Sequence, residues 1–93
     1  MFRMIRLYHL ENPEDIVEAV QAARRCVSDT QTILHSEVGF DPDREGDYDM
    51  SILMDFATMV DAREFVHTKQ YLGLMHDLPA CEESVMLYAR EDD

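Results

Sequence analysis

Residues 46–56, with the sequence GDYDMSILMDF, alternate between apolar and mostly polar side chains. One phase contains Tyr48, Met50, Ile52, Met54 and Phe56, and the other contains Asp49, Ser51, Leu53 and Asp55. Because successive side chains of a strand point to opposite faces, this period predicts a strand with one buried face. Thr58, with Asp61 three residues later, is a variant of the capping box, so a helix is expected to begin at Met59. This strand-to-helix unit is the strongest constraint on the fold.

The flanking sequence predicts three further strands and another helix. Residues 2–10 are apolar in both phases, so we expect them to form a central strand of the sheet. Asn12 and Pro13 match an N-cap and a first helical position, and the helix that they start ends near Ser28. The remaining elements are an edge strand at residues 31–38 that ends before Gly39, a helical stretch from Met59 that Pro79 closes, and a last strand at residues 81–90.

The predicted order of elements is βαββαβ, and it contains a weak internal repeat. A shift of 46 positions takes Leu10 to Phe56 and Asn12 to Thr58, so strand, cap and helix recur in the same phase. Two such halves are typical of a ferredoxin-like α+β fold, with a four-stranded sheet and both helices on one face. The first and last strands are apolar on the other face too. We therefore expect a second copy of the chain to cover that face in a two-fold, sheet-on-sheet homodimer.

Length and charge indicate a single acidic domain over residues 1–93. The chain has 20 acidic and 8 basic residues and a net charge of −12, which disfavours nucleic acid and anionic membranes as partners. Arg3 and Arg6 interrupt the apolar N-terminal run, unlike the core of a signal peptide, and no stretch approaches a membrane span. We therefore expect a cytoplasmic protein.

No motif specifies a metal or a cofactor. Residues 41–49 resemble the start of a calcium loop, but Ile52 stands where the loop requires a glutamate, so a solvated acidic turn is the simpler interpretation. The histidines are spread over four predicted elements without ligand spacing. Cys26 and Cys81 lack a CxxC spacing, and we assign them no redox role. We predict no metal and no cofactor, and leave open weak cation binding by the 41–49 loop.

Three segments resemble the stress-responsive A/B barrel (Dabb) family. MFRMIRLYHL is similar to its first strand, GDYDMSILMDFAT to its central strand, and AREFVHTKQYL to the helix before its HPxH-type turn. The resemblance covers almost the whole chain. It implies a dimeric α+β barrel formed by two ferredoxin-like sheets, with a cavity between the sheet and the helices of each protomer.

Catalytic members of this family include plant polyketide cyclases, which use histidine and tyrosine as acid and base without a cofactor. The resemblance places their catalytic positions at Met4, Phe65 and Tyr71, and their HP pair at Thr68 and Lys69. Methionine and phenylalanine cannot transfer protons. The cyclase mechanism is therefore not expected in this chain.

A rearranged catalytic site would have to combine Tyr71 with His67 or Tyr8, and these three are the candidate catalytic residues. A lone tyrosine, with an ordinary pKa of about 10, is a poor base without a partner. A methionine-rich interior could line a cavity for an apolar ligand. The candidate cavity residues are Met4, Met54, Phe65, Tyr71 and Met75.

Three functions remain open. The first is a homodimeric Dabb-type protein whose hydrophobic cavity binds a small apolar molecule, with a link to stress that rests on the resemblance alone. The second is a cofactor-independent enzyme of the dimeric α+β barrel group, either cyclase-like or similar to the antibiotic-biosynthesis monooxygenases. The third is a structural module whose sheet face binds a different chain. We favour the first, because the family's catalytic residues are replaced here.

Overall fold

Four strands form one antiparallel sheet with helices packed on one face. The computed structural model describes residues 1–91. Its elements are β1 (Phe2–Leu10), α1 (Ile16–Asp29), β2 (Ile33–Phe40), β3 (Met50–Phe56), α2 (Met59–Glu64), α3 (Lys69–Asp77) and β4 (Cys81–Ala89), with 3₁₀ turns at Pro13–Asp15 and Phe65–His67. The predicted βαββαβ order and the ferredoxin-like α+β class are confirmed.

The strand order is β2-β3-β1-β4, so β1 is central and β2 and β4 form the edges. In this register Ile5 lies between Leu53 of β3 and Met86 of β4. Tyr8 lies between Met50 and Glu83 in the same way. The central position predicted for residues 2–10 and the edge position predicted for the second strand are confirmed.

The second strand lies two residues later than residues 31–38, the range expected from the sequence. It begins at Ile33, because Thr30 ends α1 by donating a hydrogen bond from its hydroxyl to the carbonyl of Cys26 at 2.7 Å. It also continues past Gly39, which pairs with Ser51 instead of breaking the strand. Pairing with β3 outweighs the local preference of a glycine for a turn.

Tyr48 does not share the buried face of the third strand, contrary to the alternation of the sequence. The strand begins at Met50, and Tyr48 is 38% exposed. Its hydroxyl lies 3.2 Å from Oγ of Ser84, which pairs with Leu7 on the helix-free face of the sheet. Because Tyr48 precedes the first paired residue of the strand, the alternation of the strand does not fix the direction of its side chain.

The predicted helical stretch from Met59 to Pro79 is broken into two helices. Thr58 caps α2 as expected, since its hydroxyl accepts a hydrogen bond from the Asp61 N–H at 3.1 Å. A second cap then appears at Thr68, whose hydroxyl donates to the Phe65 carbonyl at 2.7 Å and accepts from the Tyr71 N–H at 3.2 Å. This cap ends the 3₁₀ turn and starts α3 in a new direction.

The two faces of the sheet differ in burial. On the helix face, β1 and β3 contribute Met4, Tyr8, Leu10, Met50, Ile52, Met54 and Phe56 to a core that the helices complete with Ala19, Ala23, Ala62, Phe65 and Leu74. On the helix-free face, Ile5, Leu7 and Leu53 are only half-buried and Met86 is 59% exposed. The chain alone therefore leaves a row of apolar side chains on the open face.

A charged cluster lies at one end of this open face. The Asp55 side chain is only 2% exposed and accepts hydrogen bonds from Nε and Nη2 of Arg3 at 2.8 and 2.9 Å. Nη1 of Arg90 approaches the same carboxylate at 3.4 Å. The hydrogen bond from Arg3 is the main reason that the pKa of Asp55 lies below its ordinary value. This bidentate pair joins β1 to β3 on the side opposite the core.

The Asp55 cluster predicts a specific acid sensitivity. A carboxylate whose pKa is lower in the folded than in the unfolded state stabilises the fold above the unfolded value of about 4, and that contribution is lost as the pH falls through the folded pKa. Asp55→Asn should therefore lower the free energy of unfolding by about 1.5 kcal/mol at pH 7 and much less at pH 3.

Urea unfolding at both pH values measures this difference. Asp43→Asn, in the exposed loop before β3, removes one negative charge without breaking an arginine pair and serves as the control. An equal loss of stability at both pH values in Asp55→Asn would contradict the assignment.

Candidate functional site

The guanidinium of Arg6 is buried between the sheet and the helices. Its position in β1 lies in the same phase as Met4 and Tyr8, and the residue is 4% exposed. Nη2 donates to Oε1 of Glu83 at 2.9 Å and to the hydroxyl of Tyr71 at 3.1 Å. Nη1 lies 3.2 Å from the sulfur of Met4. A buried charge of this kind needs paired partners, and it has an anion and a phenol.

Aromatic rings enclose the same guanidinium. Its carbon atom lies 4.8 Å from the ring centre of Tyr71 and 5.9 Å from that of Phe65. The two rings pack edge to face at 5.4 Å. Cation–π attraction is strongest where water is excluded, so these rings stabilise Arg6 in addition to its hydrogen bonds. We call the set Arg6, Met4, Phe65, Tyr71 and Glu83 the Arg6 cluster.

Two members of the Arg6 cluster, Glu83 and Tyr71, are positioned by different local features. Glu83 is in β4, where it pairs with Tyr8 and extends along the helix face toward Arg6. Tyr71 lies in the first turn of α3, which starts at the Thr68 cap. The sheet register and one helix cap therefore determine the geometry of the cluster.

The hydroxyl of Tyr8 is buried beside the cluster, close to the Glu83 carboxylate and the Arg6 guanidinium, but it makes no hydrogen bond of good geometry to any described residue. Burial raises the pKa of Tyr8 above its ordinary value, and the nearby carboxylate of Glu83 raises it further. The phenol is therefore protonated at neutral pH. It can donate a hydrogen bond to an acceptor, but it cannot act as a base.

An open pocket of about 310 Å³ lies on the side of β4 and is lined in part by Tyr8. It is lined by Tyr8, Met75, Leu78, Pro79, Ala80, Cys81 and Glu83, and we call it the Tyr8 pocket. Arg6 and Tyr71 do not line it; Arg6 donates hydrogen bonds to Glu83 and to Tyr71 from the interior. The pocket thus joins an apolar wall from the end of α3 to two polar side chains of the sheet.

A groove of about 320 Å³ lies between α1 and α3. Arg25, Asp29, Lys69 and Asp77 line it, and Arg25 and Asp77 form an ion pair at 3.6 Å across it. No buried side-chain polar atom of the described residues lacks a partner there, in contrast to the Tyr8 pocket. The Tyr8 pocket is therefore the better candidate site.

Neither cysteine is activated as a nucleophile. Burial raises the pKa of Cys81, in the wall of the Tyr8 pocket, and nearby Glu83 and Glu11 add to this effect. Burial also raises the pKa of Cys26, in α1, to about 11. Because the thiolate is the reactive form, both side chains are poor nucleophiles at neutral pH.

The structure brings several of the predicted site residues together. Met4, Phe65 and Tyr71, which the resemblance aligns with the family's catalytic positions, all contact Arg6. Met75 lies in the Tyr8 pocket and is 37% exposed. Met54 is fully buried in the core, and His67 is exposed in the 3₁₀ turn, where it takes no part in the Arg6 cluster.

Arg6 and Glu83 were not among the sequence-based candidates. Arg6 could have been identified from its position in the alternation of β1. It lies between Met4 and Tyr8 on an apolar face of the strand, and a charged residue there must find a partner. Glu83 had no such signal. The register between β1 and β4 alone brings it to Arg6, and sequence does not determine that register.

Two acidic side chains outside the cluster accept hydrogen bonds from backbone N–H groups. Asp41 accepts hydrogen bonds from the N–H groups of Gly46 and Asp43 at 2.9 and 3.2 Å, and Asp49 accepts from that of Leu10 at 2.7 Å. Within residues 1–91, no three histidine, cysteine or acidic side chains are grouped to hold a metal ion. The same part of the chain has no helix that is long and apolar enough to cross a membrane.

The pair between Arg6 and Glu83 gives a stability prediction. Glu83→Gln keeps the shape of the side chain but removes the negative charge, and an unpaired guanidinium is then left in the interior. Because the Glu83 side chain is 26% exposed, we expect a loss of about 2 kcal/mol, below the range for a fully buried pair.

Urea unfolding measures this loss, and Glu82→Gln is the matched control, since its side chain is exposed on the other face of the same strand. The double substitution Arg6→Met and Glu83→Gln should recover most of the stability, because it removes the unpaired charge. Equal effects of Glu83→Gln and Glu82→Gln would show that the pair does not stabilise the fold.

No protein-family model matches the sequence, and no curated protein does. Solved structures match over nearly its full length. A dimeric protein of unknown function with a ferredoxin-like fold, from Bacteroides fragilis, is 12% identical with a TM-score of 0.77, over 94% of this chain and 93% of that one. A Dabb family protein with a ferredoxin-like fold, from Mesorhizobium loti, is 17% identical with a TM-score of 0.74, over 96% and 95%.

A cofactor-independent oxygenase, SnoaB from Streptomyces nogalater, is 8% identical with a TM-score of 0.73, over 97% of this chain and 92% of that one. Identities this low establish the fold alone. At that level they confirm the resemblance read from the sequence: the chain has the ferredoxin-like fold that the Dabb family protein and its dimeric neighbours share.

Proposed function

We propose that this chain is a homodimeric, Dabb-type protein that binds a small molecule in the Tyr8 pocket. The observation that carries the proposal is the hydroxyl of Tyr8, which is buried at the pocket without a hydrogen-bond partner in the described chain. A buried donor without an acceptor costs about 1–3 kcal/mol. A ligand that supplies the acceptor would remove that cost.

The shape and lining of the pocket support a small, largely apolar ligand. Its volume of about 310 Å³ lies at the lower end of the range for small-molecule sites, which begins at about 300 Å³. Met75, Leu78, Pro79 and Ala80 are four of its seven lining residues, and polar atoms form nearly half of its surface. An apolar wall with a few polar groups is typical of a site that binds by burial and orients by hydrogen bonds.

Binding is better supported than catalysis. The second candidate is a cofactor-independent enzyme, favoured by the fold that the chain shares with an oxygenase of that kind. Acid–base chemistry needs a group that changes its protonation near neutral pH. Tyr8 is held protonated by burial, and Met4 and Phe65 at the family's catalytic positions cannot titrate. Ligand binding does not require a group that changes its protonation near neutral pH.

The open face of the sheet supports the homodimer. Leu53, Ile5 and Met86 form an apolar row across three adjacent strands, and Leu7 extends it along β1. The Bacteroides fragilis protein, which is described as dimeric, has this fold. Pairing two such rows face to face would bury them without a further partner.

The dimer is tested by charging the apolar row. Met86→Glu should convert the dimer to a monomer at micromolar concentration, because a carboxylate would be buried in the apolar interface without a partner. Sedimentation velocity reports the change. Val60→Glu is the matched control, since Val60 is 67% exposed on α2, away from the open face. A wild-type monomer, or a dimeric Met86→Glu, would contradict the dimer and favour the third function, a sheet face for another chain.

Ligand binding is tested by filling the pocket. Prodan, an uncharged naphthyl ketone whose fluorescence reports an apolar environment, should bind the wild-type protein with micromolar affinity and protect Cys81 from alkylation at pH 9. Ala80→Trp should abolish both effects, because the indole would occupy the pocket. Ala57→Trp, at an exposed position between β3 and α2, should change neither. Unaltered prodan binding by Ala80→Trp would exclude this pocket as the site.

A further inference from the structure

We propose that the ligand of the Tyr8 pocket is an uncharged molecule that places an acceptor oxygen, such as a carbonyl, against the Tyr8 hydroxyl, and that the same pocket rejects carboxylates. This inference rests on the proposed function, since it specifies the chemistry of that ligand. It follows from the balance of hydrogen-bond donors, acceptors and charges around Arg6.

Donors outnumber acceptors at this site. The Tyr8 hydroxyl has no partner in the described chain. The Tyr71 hydroxyl accepts a hydrogen bond from Nη2 of Arg6 at 3.1 Å. Nη1 of Arg6 meets only the sulfur of Met4, a weak acceptor. A ligand oxygen would supply an acceptor, and Tyr8 is the unpartnered donor whose residue belongs to the pocket wall.

The carboxylate of Glu83, a strong acceptor in the pocket wall, already accepts two hydrogen bonds from Arg6. Oε1 and Oε2 of Glu83 accept from Nη2 and Nε of Arg6 at 2.9 and 3.4 Å. A ligand donor would have to compete with this charge-assisted pair. The site is therefore better suited to a ligand that accepts a hydrogen bond than to one that donates it.

The charges of the site disfavour an acid. Glu83 forms part of the pocket wall, whereas the guanidinium of Arg6, which neutralises it, does not. A carboxylate in the pocket would face Glu83 directly, without its own contact to Arg6, in a protein of net charge −12. Like charges repel strongly where water is partly excluded, so an uncharged acceptor avoids a cost that a carboxylate would incur.

The apolar side of the pocket indicates what kind of chemical group the rest of the ligand would be. Met75, Leu78 and Pro79 offer an apolar surface on the side of the pocket formed by the end of α3. An apolar group buried there gains about 25 cal/mol for each Å² removed from water. The preferred ligand thus combines a hydrocarbon or aromatic body with a single acceptor oxygen.

Three naphthalene derivatives of similar size test this inference by competition with prodan on the wild-type protein. They are 2-acetylnaphthalene, a ketone; 2-isopropenylnaphthalene, its hydrocarbon counterpart; and 2-naphthoate, a carboxylate. We expect the ketone to bind at least tenfold more tightly than the hydrocarbon and the carboxylate to bind most weakly. Equal affinities for the ketone and the hydrocarbon, or tightest binding of the carboxylate, would overturn the inference and leave the pocket intact as a binding site.

Single substitutions test which residues produce the preference for the ketone. Tyr8→Phe should lower the affinity for the ketone about tenfold and leave that for the hydrocarbon unchanged. Tyr48→Phe, which removes a hydroxyl from the open face, should alter neither. Glu83→Gln should strengthen 2-naphthoate binding severalfold. Unchanged ketone affinity in Tyr8→Phe would overturn the assignment of Tyr8 as the donor, whereas failure of the wild-type protein to bind prodan would overturn the proposed function itself.

Discussion

A guanidinium can be buried between a sheet and its helices only if an anion and hydrogen-bond acceptors surround it, and Arg6 imposes this requirement on three elements of the fold. The register of β1 places Arg6 on the core side, next to Tyr8. The same register brings Glu83 of β4 to the guanidinium, and the Thr68 cap starts α3 so that Tyr71 reaches it. A slip of β1 by one residue would turn Arg6 to the open face and remove its contacts with both β4 and α3.

The parts of the fold that local chemistry determines could be predicted from the sequence. The alternation before Phe56 and the Thr58 cap specify a strand and a helix within a few neighbouring residues. The prediction failed where a partner distant in sequence decides the outcome. Tyr48 leaves the buried phase and reaches Ser84, 36 positions away, across the open face. The separate start of α3 at Thr68 required recognising a second cap inside a run that is apolar at helical spacing.

The candidate site was predictable in part for the same reason. Tyr8 and Tyr71 could be selected because few residue types combine an aromatic body with a polar tip. Their relation to each other could not be predicted, since it passes through Arg6 and through the strand pairing that brings Glu83 opposite Tyr8. Side-chain type is visible in a sequence, whereas the pairing of a buried charge depends on register, which local patterns leave undetermined.

The side chains that the Dabb resemblance aligns with the family's catalytic positions are compatible with the charge of Arg6. The sulfur of Met4 lies 3.2 Å from the guanidinium, and the ring centres of Tyr71 and Phe65 lie at 4.8 and 5.9 Å. A histidine at position 4 would place a second basic group against Arg6, whose charge would depress the histidine pKa and oppose its protonation. Thioether and aromatic surfaces accommodate the cation without that conflict. A site built around a fixed, paired charge holds its protons in place, and such a site is suited to orienting an acceptor oxygen rather than to exchanging protons with a substrate.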